Sequence, residues 1–109
     1  MCGFAGIWNS FEFNNDEQKD VLKKMIYPLK HRGPDDLGFW NQDSKGPGFA
    51  HSRLAIQDLS ESGHQPMISA SGRYVIVYNG EIYNHFDIRN ELNNLSKSRI
   101  SWKGKSDTE

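Results

Sequence analysis

The run Arg73-Tyr74-Val75-Ile76-Val77-Tyr78 constrains this chain more than any other feature. Apolar side chains follow one another without alternation, so the run predicts a strand buried on both faces. Such a strand calls for covering layers on either side. It leads directly into Asn79-Gly80, a pair suited to positive φ and hence to a tight turn.

The remainder reads as short alternating elements. Residues 4–8 are apolar and flanked by Gly3 and Asn9-Ser10, which predicts a strand. Asn14, Asn15 or Asp16 can cap a helix in which Val21, Leu22, Met25, Ile26 and Leu29 recur at helical spacing. Its lysines, Lys19, Lys23, Lys24 and Lys30, lie towards the C-terminal end, where the helix dipole favours them. His31-Arg32-Gly33-Pro34-Asp35-Asp36 predicts a loop. Residues 37–40 and 48–56 predict strands about a polar turn over 41–46, and residues 60–66 a further loop. Asn84 with Asp87 has capping-box spacing and opens a predicted helix carrying Phe86, Ile88, Leu92 and Leu95. Residues 100–102 predict a short strand. The chain closes on Ser106-Asp107-Thr108-Glu109, a Ser-x-x-Glu box of the kind that precedes a helix, and the expectation is a piece of a longer parent. The bland alternative for that box is a polar tail.

With 109 residues, one domain is expected. Aromatic residues make up 12%, too many for a typical solvated tail, although the 36% hydrophobic fraction is low. A net charge of −1 argues against nucleic acid or an anionic membrane as partner. No apolar run approaches membrane-spanning length, and the N-terminus lacks a signal-peptide pattern. One cysteine cannot form an internal disulfide, and cytoplasmic residence is the expectation.

That cysteine, Cys2, is the first candidate for chemistry. A lone cysteine is usually a small buried hydrophobe. At position 2, removal of Met1 would give one residue both a thiol and a free α-amine. Unperturbed α-amines titrate at about 7.7–8.0, so such an amine can serve as general base for its own thiol, of ordinary pKa about 8.5. His31, His51, His64 and His85 offer a rival, as metal ligands or a Cys/His pair, but lack strong ligand spacing. Backbone hydrogen bonds that order loops are the expected histidine role. Arg53 is either a solvated edge residue or a fork for a carboxylate. Asn79 and Gly80 form either an ordinary turn or an oxyanion site, built from a side-chain amide and a backbone N–H. Glu81 and Asp107 are surface charges, or carboxylates that receive an ammonium group.

Together these residues resemble a known family. The matching blocks are Met1-Cys2-Gly3-Phe4-Ala5-Gly6-Ile7-Trp8, His31-Arg32-Gly33-Pro34-Asp35-Asp36, His51-Ser52-Arg53-Leu54-Ala55-Ile56-Gln57-Asp58-Leu59 and Gly63-His64-Gln65-Pro66-Met67. Tyr78-Asn79-Gly80-Glu81-Ile82-Tyr83-Asn84-His85 and Ser106-Asp107-Thr108-Glu109 complete them. The chain resembles the N-terminal glutaminase domain of the class II amidotransferases, a branch of the N-terminal-nucleophile hydrolases. The His-Arg-Gly-Pro-Asp and Asn-Gly-Glu-Ile-Tyr-Asn blocks favour the glutamine-hydrolysing asparagine synthetase branch over the sugar-phosphate and purine branches.

The resemblance implies an α+β fold, part of an αββα sandwich with mixed or antiparallel sheets flanked by helices. It implies that residues 1–109 are the N-terminal portion of the domain, that later elements of the sandwich are missing, and that apolar sheet surface is left uncovered, with self-association as one consequence. It implies that Cys2 attacks the side-chain amide of L-glutamine and that Asn79 and Gly80 hold the oxyanion. Arg53 would bind the α-carboxylate, and Glu81 and Asp107 the α-ammonium. Leu54, Ala55, Ile56 and Gln57 would line the pocket through their backbone, Gln57 standing where the family often has an aliphatic residue. Ammonia would pass to a C-terminal synthetase domain that uses ATP and magnesium on an acceptor such as aspartate. No cofactor is expected in this chain, which lacks a Ser-Gly-Gly-x-Asp-Ser phosphate loop. The alternatives are a truncated, inactive fragment that binds glutamine or a partner chain, and a small α/β binding module whose motifs are only turns.

Overall fold

The computed structural model describes residues 1–8, 13–43, 45–97 and 99–109. The Asn9-Ser10 flank of the first strand and Ser44 in the first polar turn lie outside the described residues. Strand β1 (Gly3–Trp8) precedes helix α1 (Asn15–Ile26), which runs into a 3₁₀ turn over Tyr27–Arg32. Strands β2 (Asp36–Asn41) and β3 (Pro47–Arg53) follow, then a 3₁₀ turn at Glu61–Gly63. Strands β4 (Met67–Ile68) and β5 (Val75–Ile76) precede helix α2 (His85–Leu95). The architecture is α+β. Among the described residues both sheets are antiparallel, three strands ordered β1-β3-β2 and two strands β4-β5.

Helix α1 starts as its sequence requires. The Asn14 side chain accepts from the backbone N–H of Asp16 and Glu17, and the Glu17 carboxylate accepts from Asn14 N–H at 2.9 Å. This reciprocal box satisfies N–H groups that a helix start leaves orphaned and contributes about 1 kcal/mol. Leu22 and Ile26, one turn apart, are each 1% exposed and pack with Ala5 and Ala50. Burying two such side chains contributes about 1.5–3 kcal/mol each. Met25, on the open side of the helix, is exposed, so α1 packs on one side as expected.

The small residues of the strands let α1 lie close. A Cβ at Gly48 would meet the Leu22 side chain at 3.0 Å. Strand alternation then fixes the two faces of the larger sheet. Ala5, Phe39 and Ala50 face α1, while Phe4, Gly38, His51 and Arg53 face the other way. On that far face Trp40 and Phe49 stack with centroids 5.8 Å apart.

Three local expectations are corrected. The run over 73–78 yields only the two-residue strand β5, and it is not buried on both faces. Ile68 and Ile76, on opposite faces of the β4-β5 pair, are 46% and 43% exposed. Consecutive apolar residues signal a need for cover, and a two-residue partner strand does not meet it. The Asn84–Asp87 box does not form. Asn84 has φ −98° and ψ 23° rather than the extended backbone that aims a cap side chain at the helix start, and its carbonyl accepts from Asp87 and Ile88 instead. Residues 100–102 are irregular rather than a strand, because α2 side chains hold this segment in place of a neighbouring ladder. Arg89 donates to the carbonyls of Gly104 and Ser106 at 3.0 and 2.7 Å and lies over the Trp102 ring, whose N–H donates to Asn93. The Glu109 carboxylate turns back to accept from Lys103 and Gly104 N–H, so Ser106-x-x-Glu109 forms no capping box. Helix α2 itself buries no residue. No helix among the described residues is long and apolar enough to cross a membrane.

Candidate active site

The ladder between β1 and β3 sets the site. Gly3 pairs with Ser52 at its end, so one further step brings Cys2 opposite Arg53. Alternation puts both on the face away from α1. The thiol is partly exposed and unpaired with any other cysteine, and Leu54 N–H donates to Sγ at 3.3 Å. Arg32 Nε donates to the Cys2 carbonyl at 2.9 Å, which pins the backbone from behind. Met1 precedes Cys2 and lines the same cleft, so the nitrogen of Cys2 is a peptide nitrogen here.

Cys2 and Arg53 open on a cleft of about 340 Å³. Asn79, Gly80 and Glu81 line it from the turn after β5, and Asp107 from the C-terminal segment. Leu54, Ile56 and Gln57 line it from the stretch following β3. Ala55, taken from its neighbours as a pocket residue, does not. Its N–H donates to Asp35 at 2.8 Å, and it lines a separate depression together with Asp35.

Arg53 is 8% exposed, neither a solvated edge residue nor an uncommitted fork. Its guanidinium donates to the carbonyls of Ser60, at 2.9 Å, and Asp58. Gly63 lies against it so closely that an added Cβ would land on the guanidinium. Two carbonyls thus hold Arg53 at the cleft, and a guanidinium has five N–H donors to divide between them and a ligand. The carboxylates are also oriented by the protein. Asp107 accepts from Ile82 N–H at 2.7 Å, and Glu81 accepts from the Gln57 side-chain amide at 2.8 Å.

A second carboxylate network stands behind Arg53. Asp58 accepts from the N–H and hydroxyl of Ser60 and from Lys105 N–H. The Ser60 hydroxyl, then the Lys105 and Ser60 N–H groups, lower its pKa to about 2. Among the described residues no cluster of three or more His, Cys, Asp or Glu side chains is arranged to hold a metal ion.

The family model described as a glutamine amidotransferase domain matches residues 1–109. The chain belongs to the glutamine amidotransferase domain family. It is 40% identical over 93 residues to asparagine synthetase (glutamine-hydrolysing) 1 of Bacillus subtilis, covering 84% of this chain and 14% of that protein. It is 42% identical over 95 residues to asparagine synthetase (glutamine-hydrolysing) 2 of the same organism, covering 86% and 12%. A probable asparagine synthetase (glutamine-hydrolysing) of Dictyostelium discoideum is 37% identical over 109 residues, covering all of this chain and 18% of that protein. The chain therefore spans less than a quarter of the length of these relatives.

Two further residues of this amidotransferase domain hold the site together. Gln65, 6% exposed, lines the cleft, accepts from Tyr78 N–H at 2.6 Å and donates to the Thr108 hydroxyl at 3.3 Å. His51, 1% exposed, donates from Nε2 to the Tyr78 carbonyl at 3.2 Å. Burial away from water lowers the His51 pKa. Gln65 belongs to the Gly63-His64-Gln65-Pro66-Met67 block, but no local spacing rule reveals a side chain that joins positions 13 and 43 residues away. The histidine expectation holds for His51 and for His85, whose ring bonds the Ile82 carbonyl, whereas His64 pairs with Asp36 at 2.7 Å.

Proposed function

We propose that this chain hydrolyses the side-chain amide of L-glutamine, with Cys2 as nucleophile after removal of Met1. One observation carries the reading: the thiol, a buried arginine, an Asn-Gly turn and two carboxylates line a single cleft. That set matches the chemistry of free glutamine, a zwitterionic head joined to a neutral amide. Arg53 receives the α-carboxylate, and Glu81 and Asp107 the α-ammonium. Substrates lacking that head would leave these charges unpaired, which gives discrimination. The backbone at Leu54, Ile56 and Gln57 sets the reach between head and amide.

In the proposed course the α-amine of Cys2 takes the thiol proton. The sulfur attacks the amide carbon, and the Asn79 amide and Gly80 N–H hold the resulting oxyanion. The amine returns its proton to the leaving nitrogen and ammonia departs, leaving a γ-glutamyl thioester. Water then cleaves the carbon–sulfur bond to give glutamate and the free thiol. Fixing head and amide together places the carbonyl beside the sulfur, which supplies much of the rate.

We also read the layering as part of an αββα sandwich. Support comes from α1 on one face of the larger sheet and the segment at Tyr78 that follows β5, held by His51, on the other. In a longer protein of the relatives' kind, ammonia would pass to a synthetase domain using ATP and magnesium, with aspartate the favoured acceptor and the cytoplasm the setting. The deciding experiment treats purified, Met-free chain with a γ-diazoketone analogue of glutamine and reads the intact mass. Stoichiometric labelling at Cys2, blocked by excess glutamine, is expected. An unlabelled chain that still binds glutamine would leave the binding-only alternative in its place.

A further inference from the structure

We propose that Gln65 is a positioning residue that sets the Asn79-Gly80 turn and the Asp107 arm at a fixed separation across the cleft. The proposal deepens the glutaminase reading and takes from it the roles of those two groups. Its starting point is a gap in the sheet. The β4-β5 ladder ends at Ile76, so the main chain from Val77 to Gly80 continues without a strand partner among the described residues. Main-chain polar groups in a partly buried segment need other partners. At Tyr78, immediately before the turn, two buried side chains supply them. Gln65 Oε1 accepts from the N–H at 2.6 Å and His51 Nε2 donates to the carbonyl at 3.2 Å.

The other end of the same amide reaches the opposite wall. Gln65 Nε2 donates to the hydroxyl of Thr108, the neighbour of Asp107. A carboxamide is planar and its two polar atoms have a fixed spacing, so it acts as a rigid spacer between the walls. The spacer is itself seated on the larger sheet. The Gln65 main-chain oxygen presses on Gly38 of β2, where no Cβ would fit. One buried side chain therefore ties the oxyanion turn and the α-ammonium arm to the sheet that carries Cys2.

A residue that merely fills space would be replaceable by one of equal volume, which gives the test. Inactivation of Met-free chain by the γ-diazoketone analogue yields a limiting rate, kinact, and a half-saturation constant, KI. Iodoacetamide, which needs neither the turn nor the arm, reports thiol access and integrity. Gln65→Met keeps the volume and loses both bonds. It is expected to lower kinact on the order of 10- to 100-fold and to raise KI, since small misplacements of reacting groups carry losses of that size. The iodoacetamide rate should stay at the wild-type level. Gln65→Glu retains an acceptor for Tyr78 N–H and should recover most of kinact. Thr108→Val, which removes only the partner of Nε2, should raise KI. A wild-type kinact in Gln65→Met, or a Gln65→Glu variant as slow as Gln65→Met, would overturn the proposal. If the analogue fails to label even the wild-type chain, the glutaminase reading falls and amide hydrogen exchange decides the link by itself. Faster exchange at Tyr78 in Gln65→Met, with protection kept in Gln65→Glu, supports it; identical exchange in all three chains overturns it.

Discussion

Replacing Arg53 by alanine should destabilise the fold as well as the site. The side chain is 8% exposed and its guanidinium donates to the carbonyls of Ser60 and Asp58. A hydrogen bond to a charged donor contributes roughly 1.5–3 kcal/mol when its acceptor is kept from water. Here Ser60 is exposed and Asp58 partly so, and water replaces part of each bond; about 1 kcal/mol apiece is the share expected to be lost. The two methylenes of the stem that alanine lacks add about 1.6 kcal/mol at roughly 0.8 kcal/mol each. Relief of the charge's own burial cost offsets a portion, leaving a net loss of about 2–3 kcal/mol. With a urea slope of about 1.5 kcal/mol/M, the unfolding midpoint should fall by about 1–2 M. Arg53→Lys should recover little, because one ammonium lacks the planar fork that serves two carbonyls and a ligand together. Urea titration of the three chains, followed by far-ultraviolet circular dichroism, checks the shifts. An Arg53→Ala midpoint equal to wild type would refute the reasoning, since it would mean that the two carbonyl bonds do not hold the guanidinium.

Two further outcomes follow from the same contacts. Leu22→Ala, at a residue 1% exposed between α1 and the larger sheet, should cost about 2–5 kcal/mol in denaturant unfolding; a loss below about 1 kcal/mol would mean that the helix does not cover the sheet. Asp58 has a folded pKa of about 2 against an ordinary 3.8, so the order it provides is complete above about pH 4 and is lost as pH falls through 2. Trp102 fluorescence or hydrogen exchange at Lys105 should report loosening of the C-terminal segment over that window, and Asp58→Asn should show it already at neutral pH. A segment equally protected at pH 2 and pH 6 would remove Asp58 as its tether.

The parts that were legible in the sequence are those where one local rule decides the outcome. Asn14, Asn15 and Asp16 are cap residue types followed by a helical apolar stripe, and the helix starts there with Asn14 as its cap. Strands β1, β2 and β3 were placed to within a few residues, with β3 ending at Arg53 rather than Ile56, because the Asp35–Arg53 and Asp35–Ala55 bonds turn the chain out of the ladder. Composition does not report burial: the Val-Ile-Val run predicts two covered faces, and the structure leaves both partly open. Asn84 has the cap residue type but lacks the cap backbone angles, which spacing does not encode. The cleft gathers every site residue inferred from the resemblance except Ala55, yet the bonds that hold them, through Gln65, His51 and Asp58, connect segments with no sequence periodicity between them.

That division has a physical consequence. Among the described residues the buried apolar core lies on one side of the larger sheet, where Leu22, Ile26, Ala5 and Ala50 meet. The cleft lies on the other side, and its far wall is attached mainly through polar links: Gln65 and His51 to Tyr78, Asp107 to Ile82, Asp58 to Lys105, and Arg89 to the C-terminal carbonyls. Helix α2, which carries Arg89, buries no residue, and the β4-β5 pair is only two residues long. Polar links of this kind contribute about 1 kcal/mol each and are easily exchanged for water, whereas burial of the core is cooperative. The geometry around Cys2 is thus expected to loosen before the sheet and α1 unfold. In denaturant, the rate at which a glutamine-shaped reagent labels Cys2 should collapse while the circular dichroism of the core persists. A single coincident transition for both would show that the polar wall and the apolar core form one cooperative unit.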